Sequence, residues 1–393
     1  MRAVPFASAP ASGLVLVFWL SACSDEAPRI ATLQFDTVNG IPHSVAPDAP
    51  EQGDQGLEFL WRAPCEAEVL DGAEWANPTW LAMNDGRIAV LDPQLARVHL
   101  FTPDGERSGS FGRRGEGPGE LSRPTSLGIQ GDSILVAGAF TSPALQWFGI
   151  DGTYLGSLGT PADGVSASAY FLPGIGVVRQ VVDLEAGTGG IGWQLLDVAG
   201  DRHAIELPGD HSMQPHGSEG GAGCWRRGTA GPHLVEVDCT FPLVRVVDSR
   251  GEVLREHRVD RAPVRTPPAL IDRAMEEVES SMLGSADGVP QEMINQLVSR
   301  QVERMREQYV WTPVMSRVAG SASGHRILLV EALPEDLGGG PATLHILADD
   351  GRYLARHLFE PRIRSMAASD SQLVVLLEDP ETGLRWMEAY RLP

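Results

Sequence analysis

The sequence predicts an all-β protein built as a ring of small antiparallel sheets, and two observations support this prediction. First, an apolar residue followed four positions later by a glycine recurs along the chain, at Gly105, Gly152, Gly200, Gly251 and Gly351. Second, short β-rich runs lie on both sides of each glycine, with turn residues between them. The glycines lie 47, 48, 51 and 100 residues apart. A period of this size is typical of radial arrays in which each repeat forms one sheet.

The number of sheets follows from the repeats and from the chain ends. The clearest units are 86–111 and 132–158, and similar units surround the other three glycines. After Gly351 come further β-rich runs, but the chain stops at Pro393, before another outer strand. We expect the alternating segment Ile30–Val38 to supply that strand and so to close the ring. The sequence therefore predicts a six-bladed β-propeller with its N-terminal strand in the last blade.

The gap between Gly251 and Gly351 is either two periods or one period plus an insertion. Residues 266–309 favour the insertion, because they carry two helical patterns. Thr266 and Pro267 are typical of a helix start, and a second helix is expected from about Pro290. This two-helix insertion is either a packed decoration or a lid over the channel, with Arg300, Arg304 and Arg306 available to anions in the second case.

The N-terminus carries an export signal. The apolar run Leu14–Leu20 is too short to span a bilayer, but it suits the core of a signal peptide. Leu20-Ser-Ala-Cys23 resembles a bacterial lipobox, in which the cysteine becomes the lipidated N-terminus, and Ser24 resembles an outer-membrane sorting signal. The alternative is a plain signal peptide with an accidental cysteine. We expect residues 1–22 to be removed, residues 23–393 to form the propeller, and 46–56 to be linker-like.

Composition excludes some partners. The formal net charge is −21, and all 31 basic residues are arginine. This acidity argues against nucleic acid as a partner and against electrostatic docking on anionic lipid. We therefore expect contact with a membrane only through the lipid on Cys23.

Three cysteines remain after Cys23, in a chain expected to meet an oxidising compartment. Cys224 and Cys239 flank a turn centred on Gly228–Pro232, so a symmetric hairpin would place them within disulfide reach. We expect these two to be bonded, and Cys65 to be a buried thiol.

The segment Phe111-Gly-Arg-Arg-Gly-Glu-Gly-Pro-Gly-Glu-Leu121, with the β-rich run that follows, resembles the bacterial six-bladed β-propeller proteins related to NHL repeats. The ending 344–392 is similar to the closing blade of that family. The resemblance implies the six-bladed ring and often an exported or lipoprotein context. It implies no shared reaction, because a fold alone does not define a function.

Local motifs give few candidate residues. The loop Gly115–Gly119 lacks the helix and Lys-Ser/Thr of a phosphate loop, and an inter-blade loop is the simpler interpretation. Its neighbours Arg113 and Arg114 could hold an anionic ligand. Asp210, His211 and His216 could bind a metal, although their spacing matches no known site and a solvated loop is favoured. The sequence leaves any cofactor unknown, and a metal in the central channel, with ligands from several blades, would not be visible in local spacing.

Two functions remain open. The first is a non-catalytic binding or scaffold lipoprotein of the cell envelope that presents one ring face to a protein, peptide or glycan. The second is a metal-dependent enzyme of the lactonase or lyase type, with channel ligands from several blades. The absence of the common catalytic motifs favours the first.

Overall fold

The computed structural model describes residues 34–38, 40–47, 57–65, 78–84, 87–138, 145–158, 165–182, 191–208, 225–240, 243–260, 265–273, 275–276, 299, 315–332 and 340–393. Within them, six sheets form a six-bladed β-propeller around a central channel. The all-β fold class and the number of blades are therefore confirmed.

Three strands precede the first complete blade: β1 (Gln34–Val38), β2 (Ile41–Pro47) and β3 (Glu58–Pro64). Blade 1 contains β4 (Trp80–Asn84), β5 (Arg87–Asp92), β6 (Arg97–Phe101) and β7 (Arg107–Phe111). Blade 2 contains β8 (Pro124–Gln130), β9 (Ser133–Gly138), β10 (Leu145–Gly149) and β11 (Tyr154–Leu158). Blade 3 contains β12 (Val165–Leu172), β13 (Gly176–Val182), β14 (Ile191–Asp197) and β15 (Arg202–Ile205).

Blade 4 contains β16 (Trp225–Ala230), β17 (His233–Asp238), β18 (Leu243–Val247) and β19 (Val253–Asp260). Blade 5 contains β20 (Met315–Gly320), β21 (Arg326–Glu331), β22 (Ala342–Ala348) and β23 (Tyr353–Phe359). Blade 6 contains β24 (Arg362–Ala368), β25 (Gln372–Glu378) and β26 (Arg385–Arg391), followed in space by β3. The strands that line the channel are β4, β8, β12, β16, β20 and β24, and in blade 6 the outermost strand is β3, although it comes first in sequence.

The repeating glycines form the turns between the third and fourth strands of blades 1 to 5. All five have left-handed φ angles between 83° and 89°, which side chains other than glycine rarely adopt. A register shift follows the turn in most of these blades, for example between Leu100 and Phe101. Blade 6 has no such glycine because its third and fourth strands come from opposite ends of the chain. A chain with five such glycine turns can therefore form six blades.

The long gap before Gly351 is one period plus an insertion, because blade 5 follows blade 4 directly and holds Gly351 in its own turn. The described part of that insertion shows a short helical stretch at 268–273, where Leu270 N donates to the Pro267 carbonyl at 3.0 Å. Most of 266–309 lies outside the described residues, so the predicted pair of helices stays a prediction.

The strand that closes the ring is β3, and the prediction that Ile30–Val38 closes it was wrong. β3 pairs antiparallel with β26, with Arg62 opposite Glu388. Glu388 is 5% exposed and accepts hydrogen bonds from Arg62 Nε at 2.8 Å, from Trp386 Nε1 at 2.9 Å and from the Tyr390 hydroxyl. Arg62 therefore attaches β3 to a buried carboxylate of β26, although its own side chain is 61% exposed.

The strand β1 inside Ile30–Val38 instead forms a hairpin with β2, turning at Gly40, whose φ is 82°. We call β1 and β2 the N-terminal hairpin. β2 pairs in parallel with β19, so blade 4 has six strands. Ser44 of the hairpin is buried and its Oγ lies 2.7 Å from His257 Nδ1. The stretch expected to be a linker, 46–56, begins with the last residues of β2, and 48–56 lie outside the described residues.

Apolar clusters between neighbouring blades form the core. The largest lies between blades 5 and 6 and includes Leu328, Ile346, Leu373 and Leu377, all essentially buried. The connections differ between the two ends of the ring. The tight-turn end carries short turns such as 131–132 and the five glycine turns, whereas the loop end carries longer connections such as 112–123 and 261–314. This asymmetry places the variable loops on one face.

Candidate functional site

The central channel is the candidate site. Its volume is about 650 Å³, and the innermost strand of every blade contributes to its wall. These strands are β4, β8, β12, β16, β20 and β24, so all six repeats converge on one cavity. A concave site of this volume is in the range that small ligands occupy.

Register shifts and a close backbone approach shape the wall of this channel. Register shifts interrupt the innermost strands of four blades, between Pro124 and Ser126, Ser166 and Ala169, Met315 and Arg317, and Ile363 and Ser365. A bulge bends its strand and changes the direction of the following side chain. At Gly228 the backbone of β20 approaches so closely that a Cβ would clash with the Val318 carbonyl. The wall positions are therefore fixed by backbone geometry as well as by side chains.

Two serines in the wall join neighbouring innermost strands. The Ser126 Oγ of blade 2 accepts a hydrogen bond from Ala169 N of blade 3 at 3.4 Å. The Ser365 Oγ of blade 6 accepts one from Leu81 N of blade 1 at 3.0 Å. Both serines are buried. They help to set the width of the channel, and their acceptor atoms are already occupied by the protein.

Among the described residues that line the channel, every charged side chain is positive. Arg226, Arg227 and Arg317 line it, and among the described lining residues there is no aspartate, glutamate, histidine or cysteine. This contrasts with a chain whose formal net charge is −21. A basic cavity inside an acidic protein attracts anions and holds hydrogen-bond donors.

Arg227 is fixed by its own blade. Its Nε donates to Glu236 at 2.7 Å, and its guanidinium lies 4.7 Å from the ring centre of Trp193 in blade 3. Glu236 is fully buried. Burial raises the pKa of the neighbouring Tyr170, while the positive charges of Arg227 and Arg226 act in the opposite direction. Arg227 thus has its charge balanced within the protein.

A row of alternating charges continues from Arg227 toward the rim of blade 4. The register places Arg227, Glu236, Arg245 and Glu256 side by side on four successive strands. Arg245 Nε donates to Glu256 at 2.7 Å, and its guanidinium lies 4.9 Å from the ring centre of Trp225. The row fixes Arg227 on the side away from the channel. Arg226, the residue before it on the same strand, is not part of this row of charges.

Arg226 and Arg317 differ in how they are held. Arg317 Nε donates to the carbonyl of Ile363 in blade 6 at 2.8 Å. Arg226 is exposed to the channel, and in the described part of the chain it forms no ion pair or hydrogen bond with another residue. It therefore presents an open guanidinium fork to the cavity.

The two arginines predicted from the sequence lie elsewhere. Arg113 and Arg114 are in the loop after β7, and neither lines the channel. Arg113 Nε donates to Glu120 at 2.9 Å, and Arg114 donates to the Gln94 carbonyl at 2.7 Å. Left-handed φ angles at Gly112 and Gly119 are in accord with an inter-blade loop. A ligand role for Arg113 and Arg114 stays a prediction.

Other predicted residues fall outside the described part. Cys23, Asp210, His211, His216 and Cys224 all do so. Cys239 is disulfide-bonded. Trp225, which follows Cys224, lies opposite Asp238, which precedes Cys239, so the register is in accord with the predicted bond. Because Cys224 lies outside the described residues, the pairing of Cys239 with Cys224 stays a prediction. Cys65 is a buried thiol.

No group of metal-ligating side chains and no helix able to span a membrane occurs within the described ranges.

Sequence reasoning missed Arg226, Arg227 and Arg317. Their signal was present, because each is in the first strand of its unit and first strands line a propeller's channel. That signal becomes usable only after the blade boundaries are known, and the insertion before blade 5 obscured them.

Comparisons with known proteins agree with the six-bladed β-propeller. No protein-family model and no curated protein matches the chain. A putative exported protein from Bacteroides fragilis NCTC 9343 is 9% identical with a TM-score of 0.50, over 88% of this chain and 98% of that one. A member of the DUF4221 family from Bacteroides vulgatus ATCC 8482 is 9% identical with a TM-score of 0.51, over 87% of this chain and 99% of that one.

A streptogramin B lyase is also similar, at 9% identity and a TM-score of 0.43 over 84% of this chain and 98% of that one. That score is too low to support a statement about reaction. At these identities the likeness concerns the fold alone.

Proposed function

We propose that this protein is a non-catalytic binding propeller of the cell envelope, lipid-anchored through Cys23, that takes up part of a peptide or glycan in its central channel. The observation that carries the proposal is the chemistry of the channel wall. The described lining offers guanidinium, indole, amide and hydroxyl groups, but no carboxylate, imidazole or thiol. Such a wall can hold a ligand by donating hydrogen bonds, whereas acid–base and metal-assisted chemistry depend on the missing groups.

Export and anchoring rest on the sequence. The apolar run before Cys23 and the lipobox-like Leu20-Ser-Ala-Cys23 support a lipoprotein sorted to the outer membrane. Cys23→Ala should release the protein into the soluble fraction or block its processing. Normal processing with continued membrane attachment would remove the lipid anchor from the proposal.

The channel is tested by plugging it. Gln130 and Ala322 line the channel near the tight-turn end, and Val198 is a 71% exposed turn residue outside the lining. We expect a thermal-shift panel of oligosaccharides and tripeptides to yield a binder that the double variant Gln130→Trp/Ala322→Trp no longer binds. Val198→Trp is the matched control and should bind normally. A binder captured equally by all three proteins would place the site outside the channel.

The enzyme hypothesis has its own test. Metal analysis of the purified protein, with a turnover screen in the presence and absence of chelator, should show no chelator-sensitive activity. Stoichiometric metal together with such activity would replace the binding proposal with the metal-dependent one.

A further inference from the structure

The channel is divided into a cationic side and an uncharged side. All charged residues of its described lining come from β16 and β20, which belong to the adjacent blades 4 and 5. The lining residues supplied by β24, β4, β8 and β12 carry no charge. Because blades 1 and 4 are three steps apart in a ring of six, Trp80 of β4 and Arg226 of β16 belong to opposite walls.

Arg226 is the guanidinium on the cationic side that is open to a ligand. Arg227 already binds the buried Glu236, and breaking a buried pair of this kind is costly. Arg317 has its Nε on the Ile363 carbonyl. Arg226 is exposed, and within the described ranges it is bound to no carboxylate. Neighbouring Tyr170 also lines the channel and adds a hydroxyl donor.

The opposite wall offers an apolar surface. Trp80 is 43% exposed although it lines the cavity. An indole at the mouth of a cavity contacts sugar faces and apolar side chains, and it adds no charge. A ligand that fills the channel therefore meets a cation at one wall and an aromatic ring at the other.

We propose that the channel binds a ligand with a single carboxylate, held by the Arg226 guanidinium, whose uncharged part lies against the wall of Trp80. This inference rests on the proposed channel-binding function. One planar fork with two parallel donors matches the two oxygens of a carboxylate. The carboxylate has two possible sources, a sugar acid or a peptide C-terminus, and both present the same group to Arg226.

Matched pairs of probes separate charge from shape. Aldotriouronic acid, a trisaccharide with one uronic acid, and its methyl ester differ only in the single carboxylate, and acetyl-trialanine and its amide differ only at the terminus. By isothermal titration calorimetry, at least one acid should bind the full mature protein, and its neutral counterpart should bind 10-fold or more weakly. The acid that binds identifies the source. Absence of binding by both acids, or equal binding of acid and neutral probe, overturns the carboxylate assignment.

Variants of the protein show which side chain binds the carboxylate of the ligand. Arg226→Gln should weaken the acid 10-fold or more and leave the neutral probe unchanged, with an unaltered melting temperature. The control is Arg258→Gln, an exposed arginine on the fourth strand of the same blade, away from the channel, which should change neither. Trp80→Ala should weaken acid and neutral probe by the same factor. Unchanged acid binding by Arg226→Gln overturns the assignment.

The plugged variant Gln130→Trp/Ala322→Trp distinguishes the two proposals. If plugging abolishes binding of the acid but Arg226→Gln does not, the channel function stands and the Arg226 inference fails. If plugging has no effect on the acid, both fail, because the acid then binds outside the channel.

Discussion

The N-terminal segment meets the ring in two places, and the two attachments differ in kind. β3 supplies the fourth strand that blade 6 lacks, pairs antiparallel, and places Arg62 on the buried Glu388. The N-terminal hairpin instead adds a fifth and a sixth strand to blade 4, which is already complete, and it pairs in parallel with β19. The comparison indicates that the repeat needs β3, whereas the hairpin is an addition to it.

The largest difference should appear on truncation. A mature chain that begins at residue 66 loses β3 and leaves the edge of β26 and its buried Met387 and Ala389 uncovered. We expect it to yield no cooperatively melting protein. A chain that begins at residue 48 loses only the hairpin and should still melt cooperatively, at a lower temperature than one that begins at residue 32. Calorimetry decides this. If the chain that begins at residue 48 also fails to melt cooperatively, the ring needs the hairpin as much as β3; if the chain that begins at residue 66 melts like the one that begins at residue 48, β3 does not close the ring.

The contact between Arg62 of β3 and Glu388 of β26 can be tested by a single substitution. Glu388→Gln removes the charge that Arg62, Trp386 and Tyr390 contact. Glu388 is buried but the Arg62 side chain is 61% exposed, so we expect a loss of about 2 kcal/mol in the free energy of unfolding. Glu58→Gln is the matched control, because Glu58 pairs with Arg391 across the same two strands and both side chains are 61% exposed. Its effect should stay below about 0.5 kcal/mol. Denaturant unfolding measures both, and similar losses would contradict the comparison.

The hairpin attachment should depend on pH through His257. Burial first, and then the charge of Arg255, lower the pKa of His257 from 6.5 to about 4, although Asp349 and Asp350 act in the opposite direction. The unfolded chain therefore binds this proton more readily than the folded protein. This contribution is fully present above pH 6.5 and is lost as the pH falls from there toward 4.

We expect His257 to cost about 2 kcal/mol of the free energy of unfolding between pH 7 and pH 5. His257→Gln keeps a polar side chain without this titration and should flatten that part of the pH profile. If the parent and the variant lose stability in parallel over this range, the hairpin is not attached through a neutral histidine.

The smallest effect compares two glycines in equivalent turns. Gly200 and Gly351 both have a φ of 89°, so alanine is strained at either position, by about 1 kcal/mol. At Gly200 the space around the new Cβ is open, whereas at Gly351 it would clash with Ser44 and His257. Gly351→Ala should therefore lose about 1 kcal/mol more than Gly200→Ala in denaturant unfolding. Equal losses would mean that the N-terminal hairpin shifts to accommodate the new Cβ at no cost in the free energy of unfolding.

The fold was predictable because its signal repeats. Gly105, Gly152 and the three later glycines need left-handed backbone, and this requirement appears at regular spacing whatever the ligand. The partner of a strand is harder to predict. Both Gln34–Val38 and Glu58–Pro64 have strand character, and the choice between them depends on a contact with Glu388, more than three hundred residues away.

The candidate site was predictable only in part. Arg113 and Arg114 stood out because they flank glycines in a conspicuous loop, yet their contacts are with Glu120 and the Gln94 carbonyl of the same region. Arg226 stood in an ordinary strand, and its position became informative only when six first strands met at one channel. Convergence of distant segments is a property of the ring, so no local spacing reveals it.

The break in blade 6 also brings the two ends of the ring side by side. Glu58 and Arg391 are register partners, so the chain enters and leaves the ring at adjacent points. A short glycine turn joining them would reproduce the connection found in the other five blades and would make a continuous circle. New ends could then be opened at another turn of the circle, but the N-terminal hairpin would have to stay beside β19, because it forms the fifth and sixth strands of blade 4. The same join therefore offers a practical route to circular permutants of the ring.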